Sequence, residues 1–346
     1  MAEQEKSLAE QIDLVVAKRL GHRIYDETRR YLEAARTAVL TEEVVILVGP
    51  PRVGKSSVSR QVFGAHSKQA PDEQDHMHSV YVPAGNDSTA GAFSTKAFLS
   101  ACLNSIRHPL LSTDVAAREG RLGDSFLSRT TEGAMRSAFE RCLMARRTQF
   151  LVIDEAHHVM NAKGGERSAG AILDSFKVLA ARTGVRLVLV GSYDLLTAVN
   201  LAPHLIGRSQ TIEFPRYRES ERDMVEWSRI VRHYSSLIHE DAHAMDEYIE
   251  ALHDGSWGCI GALSRWIRNA LASCRAEGRS IPGQGDWART RQLSSALAAV
   301  NAEIRRGELH FSAKRDVAMP EAAPTLAARA SKKPAPFKRK TRRNEI

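Results

Sequence analysis

Short apolar runs alternate along the chain with longer segments whose apolar residues recur at helical spacing. Five of the runs predict strands, at 44–48, 79–83, 150–154, 186–191 and 211–214. The segments that follow them predict helices, at 57–63, 95–106, 131–146, 169–181 and 195–205. Three of the strands show no alternation of apolar and polar residues, which is typical of a parallel sheet buried on both faces. The pattern therefore predicts the α/β fold class.

Helices are also predicted on both sides of this α/β part. They fall at 6–20 and 25–38 before it, and at 219–238, 242–253, 259–277 and 287–306 after it. The remaining C-terminal stretch contains four prolines and many alanines, a composition that cannot bury a core. We therefore divide the chain into an N-terminal helical extension (1–40), an α/β core (41–215), an α-helical lid with further C-terminal helices (216–306) and a basic disordered tail (307–346).

The formal net charge of +8 is concentrated at the C-terminus. Residues 314–346 hold ten Lys and Arg against three Asp and Glu, which gives +7 and leaves about +1 for the rest of the chain. No apolar run is long enough to span a membrane, and the first residues lack the apolar segment of a secretory signal. The four cysteines are scattered, which indicates reduced thiols. These features predict a cytoplasmic protein without membrane contact.

Candidate chemistry begins directly after the first predicted strand. Residues 49–56 (GPPRVGKS), here called the phosphate loop, fit the pattern G-x-x-x-x-G-K-[ST] between a strand and a helix, the context that this motif requires. Such a loop turns successive N–H groups toward one point, and the following helix adds its positive end. Lys55 can reach β- and γ-phosphates, and Ser56 can hold Mg²⁺ through its hydroxyl. We predict that ATP binds here, in contact with Gly49, Pro50, Pro51, Arg52, Val53, Gly54, Lys55, Ser56 and Ser57.

Two acidic residues end the third predicted strand. Asp154 and Glu155 follow four apolar residues, about a hundred residues after the phosphate loop. Acids at the carboxyl end of a parallel strand lie where open α/β sheets bind their ligands. We predict that Asp154 is the Mg²⁺ partner of Ser56 and that Glu155 polarises the water that attacks the γ-phosphate. Together with the loop, these acids predict an ATPase.

Other candidate residues have both a chemical and an ordinary interpretation. Ser192, after the fourth strand, can hydrogen-bond the γ-phosphate or the attacking water, or alternatively cap the helix that begins near Tyr193. Arg208 precedes the last strand, on the flank of the core. In an oligomer it can reach the γ-phosphate of a neighbouring subunit and stabilise transition-state charge, or alternatively it is an exposed surface arginine. Ile24 and Tyr25 could cover an adenine base, although core packing is the commoner role of apolar side chains.

The order of these features resembles the AAA+ ATPases over about residues 41–280. Within that group the chain is similar to the TniB/TnsC branch of transposition regulators, relatives of IstB and MuB. This similarity is carried by the segments 49–57 (GPPRVGKSS), 80–87 (VYVPAGND), 151–159 (LVIDEAHHV), 187–196 (LVLVGSYDLL) and 258–270 (GCIGALSRWIRNA).

The resemblance implies a protein that forms ATP-dependent homo-oligomers, helical or ring-shaped, on duplex DNA. It implies further that the protein recruits a DDE transposase to the target and is released on hydrolysis, with a TniQ-like or CRISPR-associated target-selection partner. One position departs from the AAA+ pattern, in which an arginine early in the lid helix touches the nucleotide. Gly261 stands at that place, and either this contact is absent or Arg265, one turn later, provides it.

Basic residues in or near loops are candidates for contacts with DNA phosphates, because such contacts add along a polymer. They are Lys96, Arg121, Arg129 and Lys163, each with the alternative of an ordinary solvated charge. The basic tail has three interpretations: affinity for DNA, docking of a partner such as the transposase, and solubility. Two other functions stay open, a signalling or defence ATPase and a replication-type loader, both using the nucleotide as a protein-interaction switch.

Overall fold

Five parallel strands form one sheet in the computed structural model, which describes residues 15, 21–64, 76–86, 91–113, 129–279 and 281–315. The strands are β1 (Val44–Val48), β2 (Ser79–Pro83), β3 (Phe150–Asp154), β4 (Arg186–Gly191) and β5 (Ser209–Glu213). Their order in the sheet is β2-β3-β4-β1-β5, and every neighbouring pair is parallel. The predicted α/β class with a parallel sheet is therefore confirmed.

Helices precede, alternate with and follow the strands. Up to β5 they are α1 (Arg23–Ala38), α2 (Lys55–Gly64), α3 (Thr95–Ser105), α4 (Glu132–Ala145), α5 (Gly165–Thr183), α6 (Asp194–Asn200) and α7 (Pro203–Ile206). After β5 they are α8 (Glu221–Ile238), α9 (Ile249–Ser256), α10 (Ile260–Ala276), α11 (Gln284–Thr290) and α12 (Ser294–Arg315). Short 3₁₀ helices lie at Ala156–Asn161 and Asp246–Tyr248. None of the helices in the described ranges combines the length and hydropathy needed to cross a membrane.

The two faces of the sheet explain why β1 is apolar at every position. Val44, Ile46 and Val48 belong to one buried apolar cluster. Val45 and Leu47 belong to a second cluster, on the opposite face. Because alternate side chains of a strand point to opposite faces and both faces are covered, β1 has no position left for a polar side chain.

The register of the strands brings the candidate residues to one edge of the sheet. Val48 lies beside Gly191 of β4 and Glu213 of β5, and Asp154 ends β3, which runs parallel to β4. The carboxyl ends of parallel strands share one edge, where α/β proteins bind ligands. The phosphate loop after β1, the acids after β3 and Ser192 after β4 therefore lie at the same edge.

Two of the predicted helices are each divided into two helices in the structure. The predicted helix 195–205 is two helices, because Pro203 has no backbone N–H and begins α7 in its first turn. The predicted helix 287–306 is divided between α11 and α12, and Arg291 between them is extended. The predicted helix 6–20 lies almost entirely outside the described residues.

The prediction of a disordered tail from residue 307 is wrong for residues 307–315, which continue α12. Tertiary contacts explain the difference. Gly307 lies directly against the ring of Tyr193, so closely that a Cβ would come within 2.0 Å of a ring atom. Glu308 forms ion pairs with two arginines that follow β5. Residues 316–346 lie outside the part of the chain that the structure describes.

Candidate functional site

The phosphate loop joins β1 to α2 in a tight turn. Gly49 packs against the chain after β5, since a Cβ at this position would lie 2.2 Å from the carbonyl oxygen of Phe214. Gly54 (φ 117°) and Arg52 (φ 60°) have positive φ, a region that glycine adopts readily. The first glycine of the motif is therefore required by a close approach, and the second by backbone conformation.

Lys55 is the first residue of α2 and is buried beside the loop. Its Nζ donates hydrogen bonds to the carbonyl oxygens of Gly49, at 2.9 Å, and Pro50, at 2.7 Å. Burial lowers the pKa of the Lys55 amino group from its ordinary value, and the carboxylate of Glu155 opposes this shift. A buried amino group at a helix N-terminus offers an anion both a positive charge and backbone N–H donors.

Asp154 and Glu155 lie next to each other at the end of β3. The Oδ1 atom of Asp154 accepts a hydrogen bond from the backbone N–H of Glu155 at 3.0 Å. Glu155 has a left-handed backbone conformation, with φ of 55°. Its side chain is 52% exposed, so its carboxylate is accessible to water. The geometry thus gives the two acids different environments, one engaged with the backbone and one open to solvent.

His157 connects this acidic edge to the end of β4. Burial, with the neighbouring charges of His158 and Lys55, lowers the pKa of His157 to about 4. The ring is therefore neutral near pH 7, and its Nδ1 accepts a hydrogen bond from the backbone N–H of Ser192 at 3.3 Å. In this charge state the 3.4 Å approach of Nδ1 to Glu155 is not an ion pair.

Ser192 is buried at the end of β4. Helix α6, which follows, has Tyr193 at its N-cap position and no hydrogen bond from a capping side chain. The interpretation of Ser192 as a helix cap is therefore not supported by the contacts of the described residues. Its interpretation as a ligand of the γ-phosphate or of the attacking water stays a prediction.

A first cavity, of about 640 Å³, unites most of the candidate residues. It is lined by Pro51, Arg52, Gly54, Lys55, Ser56, Ser57, Glu155, His157, Ser192, Asp194, Gly261 and Glu303. Asp154 is adjacent to Glu155 but is not among the lining residues. Three of these lining residues, His157, Asp194 and Glu303, were not predicted from the sequence. His157 and Asp194 each stand two residues after a predicted site residue, Glu155 and Ser192, so their position in the sequence was a usable signal. Glu303 lies about 150 residues further along, and no local pattern marks it.

A second cavity, of about 370 Å³, adjoins the first. It is lined by Val15, Gly21, His22, Tyr25, Asp26, Val53, Gly54, Ser57, Gln61, Tyr234, Ile260, Gly261 and Ser264. Gly54, Ser57 and Gly261 line both cavities. His22, whose Nδ1 is 3.0 Å from the hydroxyl of Tyr217, and Tyr25 give the second cavity aromatic walls. Such walls suit a planar base. Ile24 is buried in the core instead.

The lid meets the phosphate loop through Gly261, in the first turn of α10. Its N–H donates to the carbonyl oxygen of Arg52 at 2.9 Å, and a Cβ here would lie 2.5 Å from that oxygen. Arg265 is exposed and lines neither cavity, because α10 turns Leu263 and Trp266 into the core instead. The position of Arg265 therefore does not support its predicted contact with a nucleotide.

Replacing Gly261 by alanine should weaken the contact between lid and loop. The added Cβ collides with a backbone oxygen, which cannot move aside as a flexible side chain would. We expect a loss of about 1–3 kcal/mol in the free energy of unfolding, measured by urea denaturation, together with weaker nucleotide binding. Gly133→Ala is the matched control, because a Cβ at Gly133 meets no atom within 4 Å. Equal stability of both variants would contradict the role given to Gly261.

Arg208 lies at the amino edge of the sheet, away from the two cavities. It precedes β5, and its Nη1 is 2.6 Å from Oε2 of Glu42, which precedes β1. The two side chains are 50% and 66% exposed, and such a surface pair contributes at most about 1 kcal/mol to stability. The structure therefore does not bring Arg208 to the cavities of its own chain, and its action on a neighbouring subunit stays a prediction.

The four basic candidates for DNA contacts do not all fall within the described residues, since Arg121 lies outside them. Arg129 and Lys163 are exposed, and Lys96 is partly exposed. A parallel backbone bridge just before α3 and α5 brings the segments that carry Lys96 and Lys163 side by side. These two lysines therefore lie on neighbouring segments of one surface.

Part of the chain matches a known family model, and the sheet with its phosphate loop has a known fold. Residues 38–199 match a family model described as an AAA domain. The five-stranded parallel sheet, with the phosphate loop between β1 and α2, is the AAA+ P-loop fold.

Among solved structures, the chain is similar to the Aeropyrum pernix ORC1 protein in complex with DNA, with a TM-score of 0.54 and 16% identity over 88% of this chain and 72% of that chain. It is also similar to the Aeropyrum pernix ORC2 protein in its ADPNP–ADP complexes, with a TM-score of 0.50 and 14% identity over 77% of this chain. The match covers 66% of the ORC2 chain, just under two thirds. At these identities the similarity shows the fold alone. No curated protein sequence matches the chain.

Proposed function

We propose that this protein is a Mg²⁺-dependent ATPase that oligomerises on duplex DNA, recruits a DDE transposase and disassembles on hydrolysis. The observation that supports the ATPase is the cavity shared by Lys55, Ser56, Glu155 and Ser192. A cation, a hydroxyl ligand for a metal ion, a base and a polar side chain are the groups that phosphoryl transfer to water needs. The DNA and transposase parts rest on the segments that resemble the TniB/TnsC regulators.

The residues of the two cavities, together with the adjacent Asp154, fit ATP and Mg²⁺. The second cavity offers an aromatic slot for the base, beside His22 and Tyr25, and the loop leads from it to the first cavity. The Ser56 hydroxyl and the Asp154 carboxylate are oxygen ligands, which Mg²⁺ prefers. When bound, this ion supplies positive charge that offsets the charge of the phosphates.

In this proposal, the side chains of the first cavity have different roles in ATP hydrolysis. Lys55 holds the β- and γ-phosphates, and the exposed carboxylate of Glu155 orients a water molecule and takes its proton. Ser192 hydrogen-bonds the γ-phosphate or that water. The neutral ring of His157 accepts from the backbone N–H of Ser192 and so positions it without adding a charge. In this mechanism binding and proton transfer depend on different residues, which makes them separable by mutation.

Arg208 provides the link between hydrolysis and assembly in this proposal. It is exposed and remote from the cavities of its own chain. An arginine in that position can stabilise transition-state charge only in a neighbouring subunit. Hydrolysis then requires the oligomer, and the DNA that organises the oligomer controls its lifetime.

Replacing Arg208 by alanine should leave nucleotide binding by the monomer unchanged and remove DNA-stimulated hydrolysis. The expected loss of rate is roughly 10³-fold or more, the usual effect of such an arginine. The measurements are nucleotide affinity by calorimetry and phosphate release with and without DNA. Arg141→Ala, which changes another exposed arginine, is the control. DNA stimulation at the level of the wild type would show that Arg208 is only a surface residue.

The proposed function as a whole is tested by measuring phosphate release with and without duplex DNA and by imaging the protein on DNA in the presence of ATP. We expect stimulation by DNA and a polymer that disappears after hydrolysis. A DDE transposase gene next to this one, whose product binds the polymer, would support the transposition role. No stimulation together with no DNA-bound polymer would refute it.

A replication-type loader is the second candidate. The observation that favours it is the fold similarity to Aeropyrum pernix ORC1, a protein whose structure was solved in complex with DNA. The discriminating measurement is partner binding on DNA. A loader should deliver a replicative helicase and ignore a transposase, whereas a transposition regulator should do the opposite.

A further inference from the structure

Glu303 extends from α12 into the first cavity, which it shares with Lys55 and Ser192. Its Oε1 atom is buried and has no hydrogen-bond partner among the described residues. Burial raises the pKa of the Glu303 carboxyl from its ordinary value. A buried carboxylate oxygen without a partner is unfavourable. The position of Glu303 is therefore maintained by something other than its own hydrogen bonds.

Contacts further along α12 maintain this position. Gly307, one turn beyond Glu303, lies against the ring of Tyr193. Glu308 accepts from the guanidinium of Arg216 at 3.0 Å and from that of Arg218 at 3.3 Å. The side chains of Ile304 and Phe311 are buried. The packing of the helix therefore holds the carboxylate in the cavity.

The place that Glu303 takes corresponds to the γ-phosphate end of the proposed site. The base end is the second cavity, which Glu303 does not line. At the other end it shares the first cavity with Glu155 and Ser192, the proposed partners of the attacking water. A third phosphate adds negative charge at this end, and ADP does not. Like charges in a partly buried site repel strongly, so a carboxylate here should weaken the binding of ATP more than that of ADP.

We propose that α12 is a latch that responds to the γ-phosphate. While α12 is packed against Tyr193, Glu303 lies in the first cavity and weakens the binding of ATP more than the binding of ADP. Bound ATP displaces Glu303 from the cavity and thereby moves α12 away from Tyr193. This inference rests on the nucleotide binding proposed above. It assigns a regulatory role to a helix outside the AAA domain match, which ends at residue 199. The latch couples the identity of the nucleotide to the position of the C-terminal part of the chain.

The first test is the affinity for ADPNP and for ADP, both with Mg²⁺, measured by calorimetry on the full-length chain. Glu303→Gln keeps the shape of the side chain and removes its charge. We expect it to bind ADPNP about three- to tenfold more tightly and ADP with less than a twofold change. Glu250→Gln, an exposed glutamate outside both cavities, should change neither affinity. Unchanged or weaker ADPNP binding by Glu303→Gln would overturn the latch.

The second test displaces the helix and leaves Glu303 in place. Gly307→Ala puts a Cβ into the ring of Tyr193, so α12 must move and Glu303 should leave the cavity. This variant should gain ADPNP affinity as Glu303→Gln does, and the double variant should gain no more. In the wild type, hydrogen exchange over residues 294–315 should increase with ADPNP and not with ADP. Equal exchange in both nucleotides would overturn the latch.

Nucleotide binding by the wild type distinguishes failure of the proposed function from failure of the latch. If the wild type binds neither nucleotide, the proposed function itself is wrong. If it binds both and Glu303→Gln does not shift the preference toward ADPNP, only the latch is wrong.

Discussion

Replacing Lys55 by alanine is expected to abolish nucleotide binding and, with it, assembly on DNA. The buried amino group is the charge that the phosphate loop offers to phosphates, and hydrogen bonds to charged groups contribute about 1.5–3 kcal/mol each. Losing two such bonds should raise the dissociation constant for ATP about a hundredfold or more. Calorimetry with ADPNP measures the affinity, and light scattering with DNA measures assembly.

The control for this variant must separate lost binding from lost folding. Lys55 also donates to the carbonyl oxygens of Gly49 and Pro50, so the loop could lose order when the lysine is removed. Circular dichroism and the thermal midpoint check the fold, and Lys177→Ala on α5 removes a lysine that lines neither cavity. A folded Lys55→Ala protein that binds ADPNP like the Lys177→Ala protein would refute the site.

Glu155→Gln is expected to separate binding from hydrolysis. Glutamine keeps the size of the side chain but cannot take a proton from water, so hydrolysis should fall about 10²–10⁴-fold. ATP affinity should stay within about threefold of the wild type, because Lys55 and Ser56 are unchanged. Single-turnover phosphate release measures the first quantity and calorimetry the second. On DNA, the assembled protein should persist instead of disassembling.

The matched control is Glu166→Gln, which neutralises an exposed glutamate in the first turn of α5. It should hydrolyse ATP and leave DNA at the rate of the wild type. If Glu155→Gln also left DNA at that rate, Glu155 would not be the base, and the water would have to be activated by another group of the first cavity.

The three central strands, β1, β3 and β4, were predictable because they are buried on both faces. The run 44–48 is apolar throughout, and its short length and four valine or isoleucine residues favour a buried strand over a helix. The C-terminal helix was not predictable beyond Gly307. That glycine and the alanines after it are typical of a tail, whereas the contacts with Tyr193 and Arg216 that keep the helix ordered come from residues about 90 to 115 positions earlier.

The residues of the candidate site also fall into a predictable and an unpredictable group. The phosphate loop and the acids after β3 were predictable because their chemistry depends on neighbours in sequence, which a motif records. Glu303 was not, since it reaches the cavity only through the packing of α12. The position of Arg265 does not support its predicted contact for a related reason. Spacing located it one turn into the lid helix, but only the fold shows that Gly261 already fills the point of contact with the loop.

The left-handed backbone at Glu155 has a consequence for efforts to make this protein more heat-resistant. A residue with a Cβ is strained in this conformation by about 1 kcal/mol, and glycine is not. Because the side chain is half exposed, little packing is lost with it. Glu155→Gly should therefore unfold at a higher temperature while hydrolysing no ATP. A screen that selects for heat resistance alone would therefore favour the loss of Glu155. The ATPase activity of every stabilised variant must be measured together with its melting temperature.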